Sequence, residues 1–205
     1  MADEVIRTIS SREVYRNPWT SVREDVIERS NGQRGIYGVV DKDPACIVIP
    51  IERAAEGDFL WLVRQFRYTV GETYYELPQG GWEQPDVDPV EMARGELREE
   101  TGLRAERMTE LARLWIGYGV MRQLHHVFLA EGLTEGEHDR EPEEHDMTVH
   151  RVPVSEFEAM LLESGDAFVF GGLARLRYHG VARILPGTGP ALGLAGRLNL
   201  TFRQF

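Results

Sequence analysis

The chain has 205 residues and a net charge of −11, and both values limit what it can do. Its apolar fraction of 42% and charged fraction of 28% are those of one ordinary globular domain, or of one domain with a small appendage. The negative charge argues against nucleic-acid binding, which needs a basic surface. No apolar stretch is long enough to span a membrane and the start of the chain lacks a secretory signal, so we expect a cytoplasmic protein with no membrane partner. The single Cys46 lies in an apolar run, which predicts a buried, inert thiol.

Residues 13–41 have the pattern of an antiparallel β extension. Val22 to Glu28 and Arg34 to Val40 are two candidate strands on either side of Asn31-Gly32, a dipeptide typical of tight hairpin turns. This segment is too thin to bury a core alone. We therefore expect it to pack on the main domain or on a second subunit.

Two apolar stretches then predict the central strands of a sheet. They are Ala45 to Ile51 and Phe59 to Phe66, which are joined across Ala55-Glu56-Gly57. A short strand from Tyr74 to Pro78 follows and ends in a Pro-Gln-Gly-Gly turn.

The helix that follows this turn has signals at both ends. Asp88 is a candidate N-cap, Pro89 fits the first helical position, and Glu91 completes a capping box. Gly102 fits the position just past the end of the helix. The apolar stripe of this helix consists of Val90, Ala93 and Leu97.

The rest of the chain is predicted to contain strands, an acidic loop, helices and a tail. The strands are Glu110 to Ile116, Gln123 to Ala130 and Thr148 to Val152; the loop runs from Glu131 to Asp146; the helices run from Ser155 to about Glu163 and over Asp166 to His179; and the glycine- and proline-rich tail starts at Pro186. His125 and His126 are adjacent on a predicted strand and face opposite sides of it, so we interpret them as structural.

Three carboxylates near the end of the first helix are the strongest chemical signal. Glu96, Glu99 and Glu100 have the spacing i, i+3 and i+4, which places them on one helical face. Such a cluster repels itself unless a divalent cation offsets the charge. A glutamate-rich face is usually only solvated, and a metal site that handles phosphates is the other interpretation of this spacing.

The stretch from Gly81 to Leu103, GWEQPDVDPVEMARGELREETGL, resembles the Nudix box. The residues in register are Gly81, Glu96, Leu97, Glu99, Glu100, Gly102 and Leu103. The stretches Leu62 to Tyr68 and Tyr75 to Gly80 resemble the strands that precede this box. The N-terminal segment, with Tyr15 to Trp19 and Gly35 to Gly38, is similar to the β extension of the ADP-ribose and ADP-sugar pyrophosphatases. The resemblance covers residues 13–165 and leaves out the tail.

Two positions depart from the box. Val87 stands where the family has a glutamate, and Gly95 stands where it has an arginine that orients the metal-binding carboxylates. Both members of one charged framework are therefore missing together, which avoids leaving an orphan charge. Arg94 points about 100° away from the vacant position and is a poor substitute. These departures bear on the efficiency of the site, because the ligating carboxylates remain.

The resemblance implies an α+β fold, the Nudix α/β/α sandwich with a mixed sheet and an N-terminal antiparallel β extension. The implied domains are residues 1–43 as an extension for dimerisation, residues 44–185 as the catalytic domain, and residues 186–205 as a tail without an assigned role. By the same resemblance the protein forms a homodimer.

The resemblance also implies a set of metal ligands and a general base. Glu96 and Glu100 are the principal ligands of Mg²⁺, with Mn²⁺ as an alternative; Glu99 assists, and the carbonyl group of Gly80 adds one backbone oxygen. The base is implied to be a glutamate of the acidic loop, where Glu143 is favoured over the neighbouring Glu144. The alternative for this loop is that its charges are merely solvated.

Substrate contacts are implied at four positions. Arg67 matches an arginine on the strand that faces the diphosphate, and Arg64 flanks it. Tyr118 lies where subfamilies differ: ADP-ribose enzymes have a proline nearby, and dinucleoside-polyphosphate enzymes have a tyrosine. Trp19 is a candidate for stacking on a base, as are Tyr37 and Trp82, although such residues are more often part of a core or interface.

The function that follows is Mg²⁺-dependent hydrolysis of a nucleoside diphosphate linked to another group. ADP-ribose or an ADP- or GDP-sugar is the leading substrate, and the products are a nucleoside monophosphate and a sugar phosphate. Tyr118 favours the alternative of a dinucleoside polyphosphate or nucleoside triphosphate hydrolase. Val87 and Gly95 keep open a weakened Nudix domain that senses nucleotides. A purely structural acidic module is the third alternative.

Overall fold

The computed structural model describes residues 5–81, 87–136 and 146–157. The chain divides into two compact units, of which the first comprises Met1–Glu52 and Trp61–Arg151 and the second Arg53–Leu60 and Val152–Phe205. The described part of the second unit includes a hairpin turn that is closed by an ion pair between Arg53 and Asp58. Residues 154–157 are helical, as predicted from Ser155, and the predicted continuation of that helix, the predicted helix over 166–179 and the tail lie outside the described residues. None of the described helices is long and apolar enough to cross a bilayer.

Eleven strands and one complete helix are described. They are β1 (Ile6–Asn17), β2 (Thr20–Arg29), β3 (Arg34–Asp41), β4 (Ala45–Ala54), β5 (Gly57–Arg67), β6 (Glu72–Glu76), β7 (Gln79–Gly80), α1 (Pro89–Thr101), β8 (Leu103–Trp115), β9 (Met121–Arg122), β10 (Leu124–Glu135) and β11 (Thr148–Pro153). One sheet has four strands in the order β1-β2-β3-β9. The other has the order β11-β5-β4-β10-β8, with β6 paired to β5 and β7 paired to β4. Since β10 is parallel to β4 and antiparallel to β8, the larger sheet is mixed, as expected.

The N-terminal extension is antiparallel, as predicted, but it begins earlier in the chain. The two predicted strands lie within β2 and β3, whereas most of β1 was not predicted. Nearly every side chain of β1 is exposed, so this strand has no buried face that an apolar pattern could reveal. Backbone pairing with β2 and ion pairs such as Arg7–Glu28 and Arg12–Glu24 hold it instead.

Helix α1 has the ends that the sequence predicts. The Asp88 side chain accepts a hydrogen bond from the backbone N–H of Val90, and Gly102 takes the left-handed conformation with φ of 74°. The side of the helix that carries Ala93 and Leu97 packs on the apolar core, which also contains Val48 and Phe128. The helix therefore begins and ends where local chemistry dictates and lies against the centre of the sheet.

Several boundaries differ from the sequence prediction, and the largest shift is that of β8, which begins at Leu103 instead of the predicted Glu110. The acidic loop was predicted to begin at Glu131, but β10 continues to Glu135, and Glu131 forms an ion pair with Arg107 of β8. The strand predicted to end at Pro78 ends at Glu76, and the predicted turn contains the two-residue strand β7. Pairing between β8 and β10 explains the extra length of both strands, and pairing with β4 produces β7; in each case the partner is distant in sequence.

Candidate active site

Two of the three glutamates near the end of α1 are buried. The side chains of Glu96 and Glu100 keep only 7% and 2% of their surface exposed, whereas Glu99 is partly exposed and pairs with Arg98 at 3.0 Å. A solvated acidic face would leave all three in water. The burial of Glu96 and Glu100 agrees with a metal site, because charged groups are rarely buried without partners or metal ions.

The buried carboxylates face the turn that contains β7. The backbone N–H of Gln79 donates a hydrogen bond of 3.0 Å to Oε2 of Glu100. A Cβ atom added to Gly80 would come within 2.4 Å of Oε2 of Glu96, so the absence of a side chain at Gly80 is what admits this carboxylate. The turn itself is fixed on β4, since Gly80 pairs with Cys46 and the carbonyl of Pro78 accepts from the N–H of Val48 at 2.8 Å. The predicted metal ligands Glu96, Glu100 and Gly80 are thus brought together.

This donor set suits a hard divalent cation. Within residues 5–81, 87–136 and 146–157, no group of three or more His, Cys, Asp or Glu residues is arranged to hold a metal ion, so protein side chains would supply only part of the coordination. Mg²⁺ characteristically keeps several waters and takes oxygens from one or two carboxylates and from substrate phosphates. Glu96 and Glu100 are two such carboxylates. They lie beside Gly80, whose lack of a side chain leaves room for the Glu96 carboxylate, and they fit that requirement.

The two arginines predicted to contact substrate have partners on β6. Arg67 donates from Nε and Nη2 to the carboxylate of Glu76, with distances of 2.8 and 2.5 Å. Arg64 lies over the ring of Tyr75, with its guanidinium carbon 5.8 Å from the ring centre. Sequence reasoning missed Glu76, because its ion pair with Arg67 depends on the register of β5 and β6.

An open pocket of about 310 Å³ lies beside the loop between β8 and β9. Its lining includes the aromatic side chains of Tyr37, Trp115 and Tyr118, and the hydroxyl of Tyr37 donates to the carbonyl of Gly119 at 2.9 Å. Val39, Val120, Met121 and Arg122 complete the lining. Sequence reasoning named Tyr118 and Tyr37 separately but missed Trp115, because residues this far apart in sequence give no local signal that they meet.

Strand register relates this pocket to the carboxylates. Gly80, Cys46, His126 and Arg113 occupy one row across four neighbouring strands. At about 4.8 Å per strand, this row spans roughly 15 Å. Trp115 follows Arg113 by two residues, so the aromatic pocket lies on the same end of the sheet as the turn at Gly80.

Two groups of predicted residues are not part of this arrangement. Trp19 lies in the turn between β1 and β2, is 61% exposed, and is not among the residues that line the aromatic pocket. Glu143 and Glu144, the predicted bases, and Trp82 lie outside the described residues.

Comparisons with known proteins decide the family. An ADP-ribose pyrophosphatase of Mycobacterium tuberculosis is 31% identical over 157 residues, which are 76% of this chain and 74% of that protein. The chain belongs to the Nudix family. An ADP-ribose pyrophosphatase of Bacillus subtilis is 28% identical over 162 residues, 79% of this chain and 85% of that protein. The family model described as the nucleoside diphosphate sugar hydrolase N-terminal domain matches residues 6–40.

The fold comparison agrees with this assignment. The crystal structure of an ADP compounds hydrolase matches with a TM-score of 0.67 and 21% identity, over 78% of this chain and 84% of that one. The α+β Nudix fold expected from the sequence is therefore confirmed, and the chain is a Nudix pyrophosphohydrolase acting on phosphorus-containing anhydrides.

A second resemblance concerns the C-terminal part of this Nudix chain. A model described as the 2OG-Fe(II) oxygenase superfamily matches residues 121–203. A DNA N(6)-methyladenine demethylase of Arabidopsis thaliana is 47% identical over 58 residues, but these are 25% of this chain and only 13% of that protein. Up to residue 157, the described part of the matched range contributes strands β9, β10 and β11 to the two sheets. The residues beyond 157 lie outside the described residues.

The two departures from the Nudix box have a structural counterpart. Val87 packs against the apolar core on which α1 lies, so an apolar side chain replaces the charged one without leaving a buried charge. Gly95 is buried within α1. Arg94 donates to the carbonyl of Ala105 at 2.6 Å, which agrees with the expectation that it does not replace the missing arginine.

The adjacent histidines on β10 are buried and have contacts that suit a structural role. Nδ1 of His126 lies 2.8 Å from Oε1 of Glu110. Hydrogen bonds from Arg113 and His126 lower the pKa of Glu110 to about 2. Burial lowers the pKa of His125, which favours its neutral form.

Cys46 is expected to resist alkylation in the native protein. The side chain is fully buried, and burial together with the charge of Glu96 raises its pKa to about 12. The reactive thiolate is therefore scarce at pH 8. Labelling with a maleimide at pH 8 should be far slower in buffer than in denaturant, where the single thiol is exposed. Equal labelling rates in the two conditions would contradict the burial of Cys46.

Proposed function

We propose that this chain hydrolyses the diphosphate bond of a nucleoside diphosphate derivative, such as ADP-ribose or an ADP- or GDP-sugar, in the presence of Mg²⁺. Water adds to one phosphorus, the bridging P–O bond breaks, and a nucleoside monophosphate and a sugar phosphate leave. The observation that carries this proposal is the pair of buried carboxylates, Glu96 and Glu100, against the turn at Gly80. The names of the two pyrophosphatase relatives support the substrate class.

The chain's own residues have distinct tasks in this proposal. Glu96, Glu100 and the Gly80 carbonyl hold the cation, Mg²⁺ or alternatively Mn²⁺, and the partly exposed Glu99 assists. When bound, the cation withdraws charge from the phosphate oxygens and lowers the pKa of a bound water. Glu143 or Glu144 removes a proton from the attacking water, and this assignment rests on the family resemblance alone. Arg67, whose partner Glu76 also bonds Gln79, contacts the diphosphate in this proposal. Arg64 lies three residues away on β5 and faces the other side of the strand, so its role stays a prediction of the family resemblance.

The aromatic pocket is proposed to bind the base of the nucleotide. It lies on the same end of the sheet as Gly80, at a distance that an extended nucleoside diphosphate derivative bridges. Aromatic side chains stack on any base, so the pocket suits a nucleotide without defining which one. This leaves Tyr118 as a substrate contact in the proposal and gives Tyr37 and Trp115 the same role. Trp19 remains a predicted contact for which the pocket gives no support.

Substitution of Tyr118 tests this assignment. Tyr118→Ala should raise KM for ADP-ribose about tenfold with little change in kcat, because stacking on a base contributes about 1–3 kcal/mol. Tyr118→Phe should keep most of the affinity. Tyr68→Ala is the control, since Tyr68 is also exposed but does not line the pocket. An unchanged KM for every nucleotide that the enzyme hydrolyses would remove Tyr118 from the site.

A panel of substrates with identification of the products tests the whole proposal. ADP-ribose, ADP-glucose, GDP-mannose, a dinucleoside tetraphosphate and ATP would be compared at saturating Mg²⁺. Tyr118, which lines the aromatic pocket, favours dinucleoside polyphosphates as the second candidate substrates. Binding of ADP-ribose without turnover would instead support the nucleotide sensor that Val87 and Gly95 keep open.

Other expectations stay predictions. A homodimer assembled through residues 1–43 agrees with exposed apolar side chains on the N-terminal sheet, among them Ile6, Ile9, Val14 and Ile36. The cytoplasmic location and the domain boundaries at residues 43 and 185 rest on the sequence and the family resemblance.

A further inference from the structure

A chain of hydrogen bonds connects strand β5 with the end of helix α1. Arg67 donates from Nε to Oε1 of Glu76 at 2.8 Å and from Nη2 to Oε2 at 2.5 Å. The same Oε2 accepts from Nε2 of Gln79 at 2.7 Å. The backbone N–H of Gln79 then donates to Oε2 of Glu100 at 3.0 Å. Gln79 therefore joins two carboxylates, through its side chain on one side and its backbone on the other.

Glu76 is the charged centre of this chain. Its side chain is only 15% exposed. Burial by itself would raise the pKa of Glu76, but the ion pair with Arg67 and the hydrogen bond from Gln79 bring the pKa below its ordinary value. The carboxylate is thus ionised at neutral pH and accepts from both neighbours, as charged acceptors do most strongly.

We propose that Glu76 is a positioning residue for the hydrolytic site: it fixes Gln79, and through Gln79 it sets the orientation of the Glu100 carboxylate relative to Gly80. This rests on the proposed function, in which Glu100, Glu96 and the Gly80 carbonyl would hold the cation. The oxygens of that site come from two elements, α1 and the turn at β7, and only correct spacing between them produces a usable geometry. Gln79 is the residue whose hydrogen bonds connect the two elements with the rigid strands β5 and β6.

A merely structural role for Glu76 makes a different prediction. The backbone of the turn is already held by the pairing of Gly80 with Cys46 and by the hydrogen bond from Val48 to Pro78. These contacts keep the turn on β4 but do not hold the Gln79 side chain. Loss of the Glu76 charge should therefore leave the turn on β4, release the Gln79 side chain, and let the Gln79 amide that bonds Glu100 shift. A structural role predicts a lower melting temperature with unchanged cation dependence, whereas a positioning role predicts weaker cation binding.

The first test is Glu76→Gln in the full chain. We expect the Mg²⁺ concentration for half-maximal activity to rise about tenfold, as is usual when a residue that orients a metal ligand is lost, with a smaller change in KM for ADP-ribose. Calorimetric titration with Mn²⁺ in the absence of substrate should show the same weakening. Glu72→Gln is the matched control, because Glu72 lies on the same strand and is exposed, with its carboxylate accepting from Tyr74 at 2.7 Å.

A second variant keeps the test decisive if Glu76→Gln folds poorly. Gln79→Leu removes the Nε2 donor and keeps the backbone N–H, so it should reproduce the loss of cation affinity and speed hydrogen exchange at the amide of residue 79. In the double variant, cation affinity should fall no further than in the weaker-binding single variant, because both changes break one connection. If the losses of cation affinity in the two single variants multiply in the double variant, the proposal is overturned.

The outcomes also separate this inference from the proposed function. Cation binding as tight as in the wild type in both Glu76→Gln and Gln79→Leu, while Glu100→Gln loses activity, would overturn the positioning role alone. Full activity in Glu100→Gln would overturn the proposed site itself, and with it the reason for Glu76 to act.

Discussion

Replacing Glu100 by glutamine is expected to lower kcat for ADP-ribose by about three orders of magnitude. The cation stabilises charge in the transition state by several kcal/mol, and about 4 kcal/mol corresponds to a thousandfold change in rate. Glutamine has the same shape as glutamate, and its Oε1 can still accept the hydrogen bond from the backbone N–H of Gln79. The fold should therefore survive while the negative charge that attracts the cation is lost.

The measurement is steady-state hydrolysis at saturating Mg²⁺, together with calorimetric titration of Mn²⁺. Glu91→Gln is the control. This substitution removes the same charge from the same helix, but the Glu91 side chain is exposed near the helix N-terminus. A Glu100→Gln protein with wild-type kcat would show that the buried end of α1 is not where the cation acts.

Replacing Gly80 by alanine should reduce activity at least about 100-fold with little loss of stability. The new Cβ would lie 2.4 Å from Oε2, 2.6 Å from Cδ and 2.7 Å from Oε1 of Glu96, so the carboxylate has to move. The atoms that move are the end of a flexible side chain, and we expect the free energy of unfolding to fall by about 1 kcal/mol. A displacement of about 1 Å at a reacting site can cost a hundredfold in rate.

Gly38→Ala serves as the control for this substitution. Gly38 is also a strand glycine, and a Cβ atom added there would have no neighbour within 4 Å. Chemical denaturation and kinetics on both variants separate the two effects. A Gly80→Ala enzyme that keeps wild-type kcat and KM would contradict the position assigned to Glu96.

The parts that sequence predicted well are those with local signals. The caps of α1 depend on Asp88, Pro89 and Gly102, which lie within one turn of the helix ends they define. The carboxylates at Glu96 and Glu100 follow from helical spacing in the same segment. The burial of these two groups against Gly80 is a tertiary fact, but the family resemblance implied their common role.

The parts that were missed depend on pairing between distant segments. Strand β1 has almost no buried side chain, so its order comes from β2 rather than from its own pattern. The aromatic pocket joins Tyr37 to residues about eighty positions later. The ion pair of Arg67 with Glu76 requires the register of β5 and β6, which no turn motif between them specifies.

The parallel pairing of β3 with β9 has a consequence for how this enzyme can be taken apart. Val40 pairs with Met121 and Asp41 with Arg122 across the two strands, and the side chains of Asp41 and Arg122 form an ion pair. The N-terminal extension is therefore paired with the strand that directly follows the loop carrying Tyr118. Two residues of the extension, Tyr37 and Val39, form one wall of the aromatic pocket. Removing the residues before 44 would therefore not produce an independent catalytic domain. It would remove Tyr37 and Val39 from the pocket where we place the nucleobase, and it would leave β9 without its partner β3.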